Sequence, residues 1–440
     1  MGTCGRLQRP VQGDVSVAVT ATDTHQAIHA VWRIEQAKLI AGLARFTRDV
    51  GMAEELAQDA LVAALETWPK NGVPEKPGAW LMAIAKRRAV DHFRRARMQD
   101  RKHEDIGRDL QADELAIPDF DAALDNDIDD DLLRLIFTAC HPVLTVEAQV
   151  ALTLRLLGGL TTAEIARAFL VPEPTIAQRI VRAKRMLTEA RVPFEVPHGN
   201  DRTERLSAVL GVIYLIFNEG YSATSGGDWM RPMLCEEALR LGRILAGLAR
   251  DEPEVHGLVA LMEIQSSRFA ARTGPSGEPI LLEQQDRSRW DQLLIRRGLA
   301  ALERAETAAA PPGPYTLQAA IAACHARART AEETDWKKIA ALYRVLAQIS
   351  PSPIVELNRA VAVGMAFGPA EGLEVVEALQ SEPSLRSYHL LPSVRGDFLM
   401  KLGRHAEAQA EFERAASLTG NERERALLLE RAAACAKASS

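Results

Sequence analysis

Cysteine, aromatic residues and long apolar runs are all scarce in this 440-residue sequence. Its cysteines are Cys4, Cys140, Cys235, Cys324 and Cys435, and no two have the CxxC spacing of a zinc site or disulfide framework. The longest apolar stretch, 206–217, is shorter than the roughly 18 residues that a membrane span requires. The opening residues also lack the apolar core of a secretion signal. These absences predict a chain without metal, cofactor or membrane segment, located in a reducing cytoplasm.

Alanine, leucine, arginine and glutamate dominate what is present, which predicts an all-α protein of several domains. The net charge is −6, but this total does not exclude binding to nucleic acid, because local patches decide such binding. No nucleotide-binding loop or catalytic triad is found, so we predict that the chain is not an enzyme. Changes in composition and periodicity divide the sequence into six predicted segments. These are a flexible leader (1–24), a first helical domain (25–103), an acidic linker (104–130), a second helical domain (131–195), a helical extension (200–310) and helical repeats (311–440).

The stretch 160–187 predicts two short helices around a tight corner. Thr161 stands three residues before Glu164, the spacing of a capping box that begins a helix. In the second helix, Ile176, Ile180, Ala183 and Leu187 form an apolar stripe, and Thr175, Gln178, Arg179, Arg182 and Arg185 form a polar one. Arginine and glutamine can read base edges in a major groove and can contact phosphate. The pattern therefore predicts a helix-turn-helix that binds duplex DNA, although an arginine-rich face can also be merely solvated.

A second candidate for nucleic-acid binding lies nearer the start of the sequence. The helix in 53–68 has small apolar residues on one face and Glu54, Glu55, Gln58 and Asp59 on the other. The prolines and glycines of 69–78 predict a loop, and a basic helix follows. Trp80 begins that helix, and its cations include Lys86, Arg87, Arg88, Arg94 and Arg95. An aromatic residue beside basic residues is typical of single-strand binding, although a basic helix can also be solvated without a ligand.

The two basic segments are separated by an acidic one. Residues 104–131 contain twelve acidic residues and a single basic one, Arg108. Such a composition favours a solvated linker. An alternative interpretation is that the acidic arm shields the neighbouring basic patches when DNA is absent.

A repeat is visible in the last third of the sequence. Ile339, Gly372 and Ala408 begin similar apolar patterns and are 33 and 36 residues apart. The spacing is close to the roughly 34-residue period of tetratricopeptide (TPR) repeats. A generic array of helical hairpins is the alternative, and either arrangement predicts a concave binding surface.

In order and spacing, these segments resemble bacterial sigma factors of the extracytoplasmic-function (ECF) class, in the subgroup with a TPR-like C-terminal extension. The resemblance implies that the chain contacts a promoter at two separate elements. It implies two partners, promoter DNA and core RNA polymerase, the latter bound through its β′ clamp and β flap. It assigns Glu55, Gln58 and Asp59 to polymerase binding. It assigns Trp80, Lys86, Arg87, Arg88, Asp91, Arg94 and Arg95 to the −10 element, and Thr175, Gln178, Arg179, Arg182 and Arg185 to the −35 element.

Two residues depart from the family pattern. Many relatives have asparagine at the position of Arg87, which affects base choice at −10, and a capping serine at the position of Pro172. The resemblance further implies that the extension takes part in regulation, with a protein or small-molecule regulator at the C-terminal helical domain.

Two other functions are compatible with parts of the sequence. A helix-turn-helix regulator that senses a ligand through its repeats would not need the 53–68 helix or Trp80. A TPR scaffold would not need the arginines of 175–185.

Overall fold

The computed structural model describes residues 21–104, 128–223, 230–275, 277–308 and 310–439. The described residues confirm the all-α prediction: they are helical apart from loops, short 3₁₀ turns and one isolated antiparallel bridge between Thr273 and Pro279. Among the described residues, no helix combines the length and the apolar composition of a membrane span. The chain divides into two compact units, 1–126 and 127–440.

Three helices form the first unit, α1 (Ala21–Thr47), α2 (Val50–Asn71) and α3 (Pro77–Glu104). Asp49 begins α2 by accepting a hydrogen bond from the Met52 N–H at 2.9 Å. Gly72 ends α2 with a φ of 80°, a conformation that glycine adopts without strain. The loop predicted over 69–78 is therefore too long, because Pro69 lies inside the last turn of α2 and Pro77 opens α3.

The second unit begins with four short helices, α4 (Ile128–Ala139), α5 (Val146–Leu156), α6 (Thr162–Phe169) and α7 (Glu173–Glu189). The helix α4 starts within the segment predicted as an acidic linker. Its first turn contains Asp129, Asp130 and Asp131, and carboxylates in that position interact favourably with the helix dipole. The rest of the predicted linker, 105–127, lies outside the described residues, as do the predicted leader residues 1–20.

Five longer helices follow, α8 (Gly199–Tyr221), α9 (Pro232–Leu248), α10 (Pro253–Ser266), α11 (Gln292–Glu306) and α12 (Pro314–Arg327). The central one is α10, which packs against α9, α11 and α12 and is buried along most of its length. A helix that is apolar on nearly all sides is expected at the centre of a layer of helices.

Six helices complete the second unit, α13 (Trp336–Ile349), α14 (Pro353–Phe367), α15 (Pro369–Leu379), α16 (Leu390–Lys401), α17 (His405–Leu418) and α18 (Glu422–Ser439). The predicted repeat anchors Ile339, Gly372 and Ala408 are buried in α13, α15 and α17, so each repeat is a pair of helices. A Cβ atom on Gly372 would lie 2.6 Å from the Phe398 ring, so this position requires glycine. That these pairs are TPR repeats stays a prediction.

Candidate nucleic-acid interface

The helix-turn-helix predicted over 160–187 is formed by α6 and α7. The Thr161 hydroxyl accepts from the Glu164 N–H at 3.2 Å, and the Glu164 carboxylate accepts from the Thr161 N–H at 2.8 Å. This pair is the predicted capping box. At the corner, Leu170 has a left-handed backbone with a φ of 51°, which lets the chain turn within three residues. Pro172 precedes α7 without a side-chain cap, and Pro174 lies in the first turn, where a missing N–H costs little.

The two stripes of α7 have different environments. The apolar stripe, Ile176, Ile180, Ala183 and Leu187, is buried. In the polar stripe, Thr175, Gln178, Arg182 and Arg185 are exposed and Arg179 is half-buried. Arg185 forms a 3.4 Å ion pair with Glu189, but both side chains are about two-thirds exposed, so the pair restrains Arg185 little. The face predicted to read DNA is therefore open to solvent within its own unit.

Arg179 differs from the rest of the stripe because it has an acidic neighbour on α5. The Glu147 pKa lies below its usual value, chiefly through hydrogen bonds with its own backbone and with Thr145, and the positive charge of Arg179 adds to this effect.

In the first unit, Trp80 packs at the start of α3. Its ring meets the buried ring of Trp68 edge to face, with centroids 5.3 Å apart, and its side chain stays partly exposed. Held edge to face against this buried ring, Trp80 presents an aromatic surface beside the basic helix. Arg87, Arg94 and Arg95 are exposed along that helix, and Lys86 and Asp91 are half-buried. The structure does not describe the side chains of 96–104.

The residues predicted to bind polymerase lie on α2, and two of them have intramolecular partners. Asp59 forms a 3.1 Å ion pair with Arg88 of α3. Arg88 is one of the residues predicted to bind the −10 element. Gln58 donates to Glu54 at 2.6 Å, and Glu55 is exposed. The prediction that Glu54 lies on the outer polar face is wrong, because its side chain is buried under Gln58.

Comparison with known proteins assigns these helices to families. Residues 33–98 match the model of sigma-70 region 2, 134–187 match sigma-70 region 4, and 205–306 match a family of unknown function, DUF6596. The ECF RNA polymerase sigma factor SigK of Mycobacterium ulcerans is 31% identical over 33% of this chain and 75% of its own length. The chain belongs to the sigma-70 family of RNA polymerase sigma factors. Sigma factors are not enzymes, in agreement with the sequence-based prediction.

Two further relatives show how the similarity is distributed. The probable ECF sigma factor SigI of Mycobacterium tuberculosis is 27% identical over 40% of this chain, and the match spans 60% of the length of SigI. An uncharacterized protein of Rhizobium meliloti is 44% identical over 88% of this chain and 91% of its own length. The similarity to that protein therefore extends through the C-terminal extension, here the helices α8–α18.

Region 4 (α4–α7) is attached to the extension by three arginines that sequence reasoning missed. Arg205 of α8 donates to the Phe137 carbonyl at 3.0 Å, Arg231 before α9 donates to the Ala168 carbonyl, and Arg240 of α9 donates to the Leu157 carbonyl. These carbonyls lie at the C-terminal ends of α4, α6 and α5, where the last turn of a helix leaves acceptors without an intrahelical donor. Each arginine also brings positive charge to the negative end of a helix dipole.

Acidic side chains hold two of these arginines in place. The Glu219 carboxylate accepts from Arg231, and Glu237, which is buried, accepts from Arg240 at 3.0 and 3.1 Å. Arg205 instead lies 5.6 Å from the centre of the Phe137 ring and is itself buried. In sequence these arginines look like ordinary charged positions of amphipathic helices, so nothing in the local pattern distinguishes them.

Two exposed valines were also missed. Val181 lies among Gln178, Arg182 and Arg185 on α7, and its side chain is 65% exposed. Val62 lies one turn after Gln58 and Asp59 on α2 and is 49% exposed. Exposed apolar residues within polar faces could have marked both positions in the sequence, because they break the binary pattern of a surface helix.

Proposed function

We propose that the chain binds core RNA polymerase and directs it to specific promoters as an ECF sigma factor of the TPR-like subgroup. The observation that carries this proposal is the capped helix-turn-helix with its solvent-exposed polar stripe, in one chain with an aromatic and basic region 2. A helix-turn-helix regulator needs only the first feature, and a TPR scaffold needs neither. A sigma factor uses both, one on duplex DNA and one on an opened strand.

The proposed −35 contacts are made by Thr175, Gln178, Arg179, Arg182 and Arg185. An exposed Arg182 can donate two hydrogen bonds to guanine, and Gln178 can pair with adenine. Val181 adds an apolar contact of the kind that thymine methyl groups accept. The stripe thus offers both phosphate contacts and base recognition.

The proposed −10 contacts are made by Trp80, Lys86, Arg87, Asp91, Arg94 and Arg95. Trp80 supplies a stacking surface and the arginines track the backbone of an unpaired strand. Arg88 has a different proposed role. Its ion pair with Asp59 joins α3, which is proposed to bind DNA, to α2, which is proposed to bind polymerase. Glu55, Gln58, Asp59 and Val62 would then form one continuous face toward the β′ clamp.

We further infer that the extension supports region 4 and does not mask it. The three arginines contact the ends of α4, α5 and α6, on surfaces other than the polar stripe of α7. Regulation through the extension would then act on the position or stability of region 4. A cytoplasmic location and a regulator at the C-terminal repeats stay predictions.

Transcription by a reconstituted holoenzyme tests this function. Purified chain is mixed with core polymerase and a promoter library, and specific run-off transcripts are sequenced. We expect Gln178→Ala with Arg182→Ala to reduce specific transcripts while leaving co-elution with core polymerase intact. Arg386→Ala, an exposed arginine outside the site, is the control. Absence of both transcripts and co-elution for the wild-type chain would contradict the sigma function.

A further inference from the structure

A groove lined by four arginines lies in the part of the extension that matches DUF6596. It has a volume of about 540 Å³ and runs over α10, between α9 and α11. Arg243 lines it from α9, Arg250 lines it from the turn after α9, and Arg297 and Arg304 line it from α11. A groove of this size is in the range of sites for small molecules.

The groove follows from the spacing of its residues. Arg297 and Arg304 are two turns apart on one face of α11. Opposite them, Arg243 lies on α9 and Arg250 lies two residues beyond the end of that helix. His256 and Glu263 are also two turns apart, on α10, which forms the floor. The small side chains of Ala246, Gly247, Ala300 and Ala301 leave the space between the helices open.

The groove is strongly positive although the whole chain is acidic. Four arginines face a single carboxylate, that of Glu263, and no other acidic side chain lines the groove. Arg243 is paired with Glu263 at 2.8 Å, whereas Arg297 and Arg304 are exposed on the opposite wall. Like charges around one groove repel one another, so an anion bound between them would reduce that repulsion.

The floor of the groove contains a buried carboxylate. Glu263 is 2% exposed; its Oε1 accepts from Arg243, while its Oε2 is buried without a hydrogen-bond partner. Buried carboxylate oxygens are nearly always hydrogen-bonded, because an unpartnered one loses its hydration without compensation. His256 does not supply this bond, since its Nε2 lies 2.7 Å from the Arg250 carbonyl.

We propose that this groove binds a small anionic ligand of nucleotide size. The arginines bind its phosphate or carboxylate group. The planar guanidinium groups suit carboxylate and phosphate oxygens, which can accept two parallel hydrogen bonds from one arginine. Such a ligand binds beside the contact with region 4, because Arg240 and Arg243 are one turn apart on α9.

A small ligand fits the groove better than a nucleic acid or an acidic peptide. Arginines that contact duplex backbone are spread over an extended surface, whereas these four converge from two walls above a buried carboxylate. A groove of this volume encloses a small ligand and not a long phosphate backbone.

Calorimetric titration of the full chain tests the proposal. The probes are inorganic phosphate, pyrophosphate, ATP and citrate, with adenosine as the uncharged comparison. We expect micromolar binding of at least one anion and none of adenosine, and the preference among the anions distinguishes phosphate from carboxylate ligands. We expect Arg297→Ala and Arg304→Ala each to weaken that binding about tenfold or more, because each removes charge-assisted hydrogen bonds.

The matched control is Arg296→Ala, an exposed arginine on α11 that does not line the groove. It removes the same charge, so its affinity should stay within about twofold of wild type. Circular dichroism of each variant checks that the fold is kept. The proposal is overturned if no anion binds below about 1 mM, or if Arg296→Ala weakens binding as much as Arg297→Ala. It is also overturned if duplex DNA or a polyglutamate peptide alone binds in a manner that depends on Arg297.

Discussion

Replacing Arg205 by methionine tests whether the extension stabilises region 4. The Arg205 guanidinium donates to the Phe137 carbonyl at 3.0 Å and lies over the Phe137 ring. Two opposing effects act on its charge. Burial lowers the Arg205 pKa, which means that keeping the cation there costs free energy. The hydrogen bond, the helix C-terminus and the aromatic ring together offset that cost.

The size of these effects predicts the outcome. A hydrogen bond from a charged donor contributes about 1.5–3 kcal/mol, and an orphaned buried carbonyl costs about 1–3 kcal/mol. The Phe137 carbonyl has no substitute donor, because the His141 N–H bonds to Thr138 instead. Methionine keeps most of the packing but donates no bond, so we expect Arg205→Met to destabilise α4 by about 2 kcal/mol. Arg205→Ala should cost about 2 kcal/mol more, because it also leaves a cavity.

Hydrogen–deuterium exchange of the full chain measures this change locally. A loss of about 2 kcal/mol corresponds to roughly 30-fold faster exchange of the protected amides of α4. Exchange in α13–α18 should change much less, which serves as an internal control. If Arg205→Met exchanges at the wild-type rate or more slowly, the desolvation cost exceeds the bond, and the arginines do not stabilise region 4.

Three further predictions concern other parts of the chain. Burial and the charges of Arg268 and Arg287 lower the His325 pKa to about 4, so the unfolded chain takes up a proton first as pH falls below 6.5. We therefore expect urea stability to drop by about 3 kcal/mol between pH 6.5 and 4, and a His325→Gln chain that loses just as much would contradict this. Thr161→Ala should lower thermal stability by about 1 kcal/mol through loss of the capping box, whereas an unchanged melting temperature would show that the cap contributes nothing. Arg88→Gln should weaken binding to core polymerase less than Asp59→Ala does, as measured by fluorescence anisotropy, because Arg88 only orients Asp59; the reverse order would refute that role.

The helices that carry one apolar and one polar face could be predicted from the sequence. The stripes of α7, the capping box at Thr161 and the helix-pair period of the repeats all depend on residues within one or two turns of each other. Local spacing determines such features directly.

The contacts between distant segments could not be predicted in this way. Arg205 bonds to a residue 68 positions away, and the pairing of Asp59 with Arg88 joins two helices across a loop. The loop in 69–78 is shorter than its prolines and glycines indicate, because Pro69 is accommodated in the last turn of α2. The groove over α10 requires three helices to be placed side by side, which no single periodic pattern encodes.

Footprinting of the −35 element by the complete holoenzyme tests the central claim most directly. The central claim is that the chain is a sigma factor whose extension supports region 4 while leaving the α7 stripe accessible. With the full chain and core polymerase, we expect clear protection of the −35 duplex, and a chain ending after His198 should protect it less. A full chain that leaves −35 unprotected, together with a shortened chain that protects it, would show that the extension is a mask.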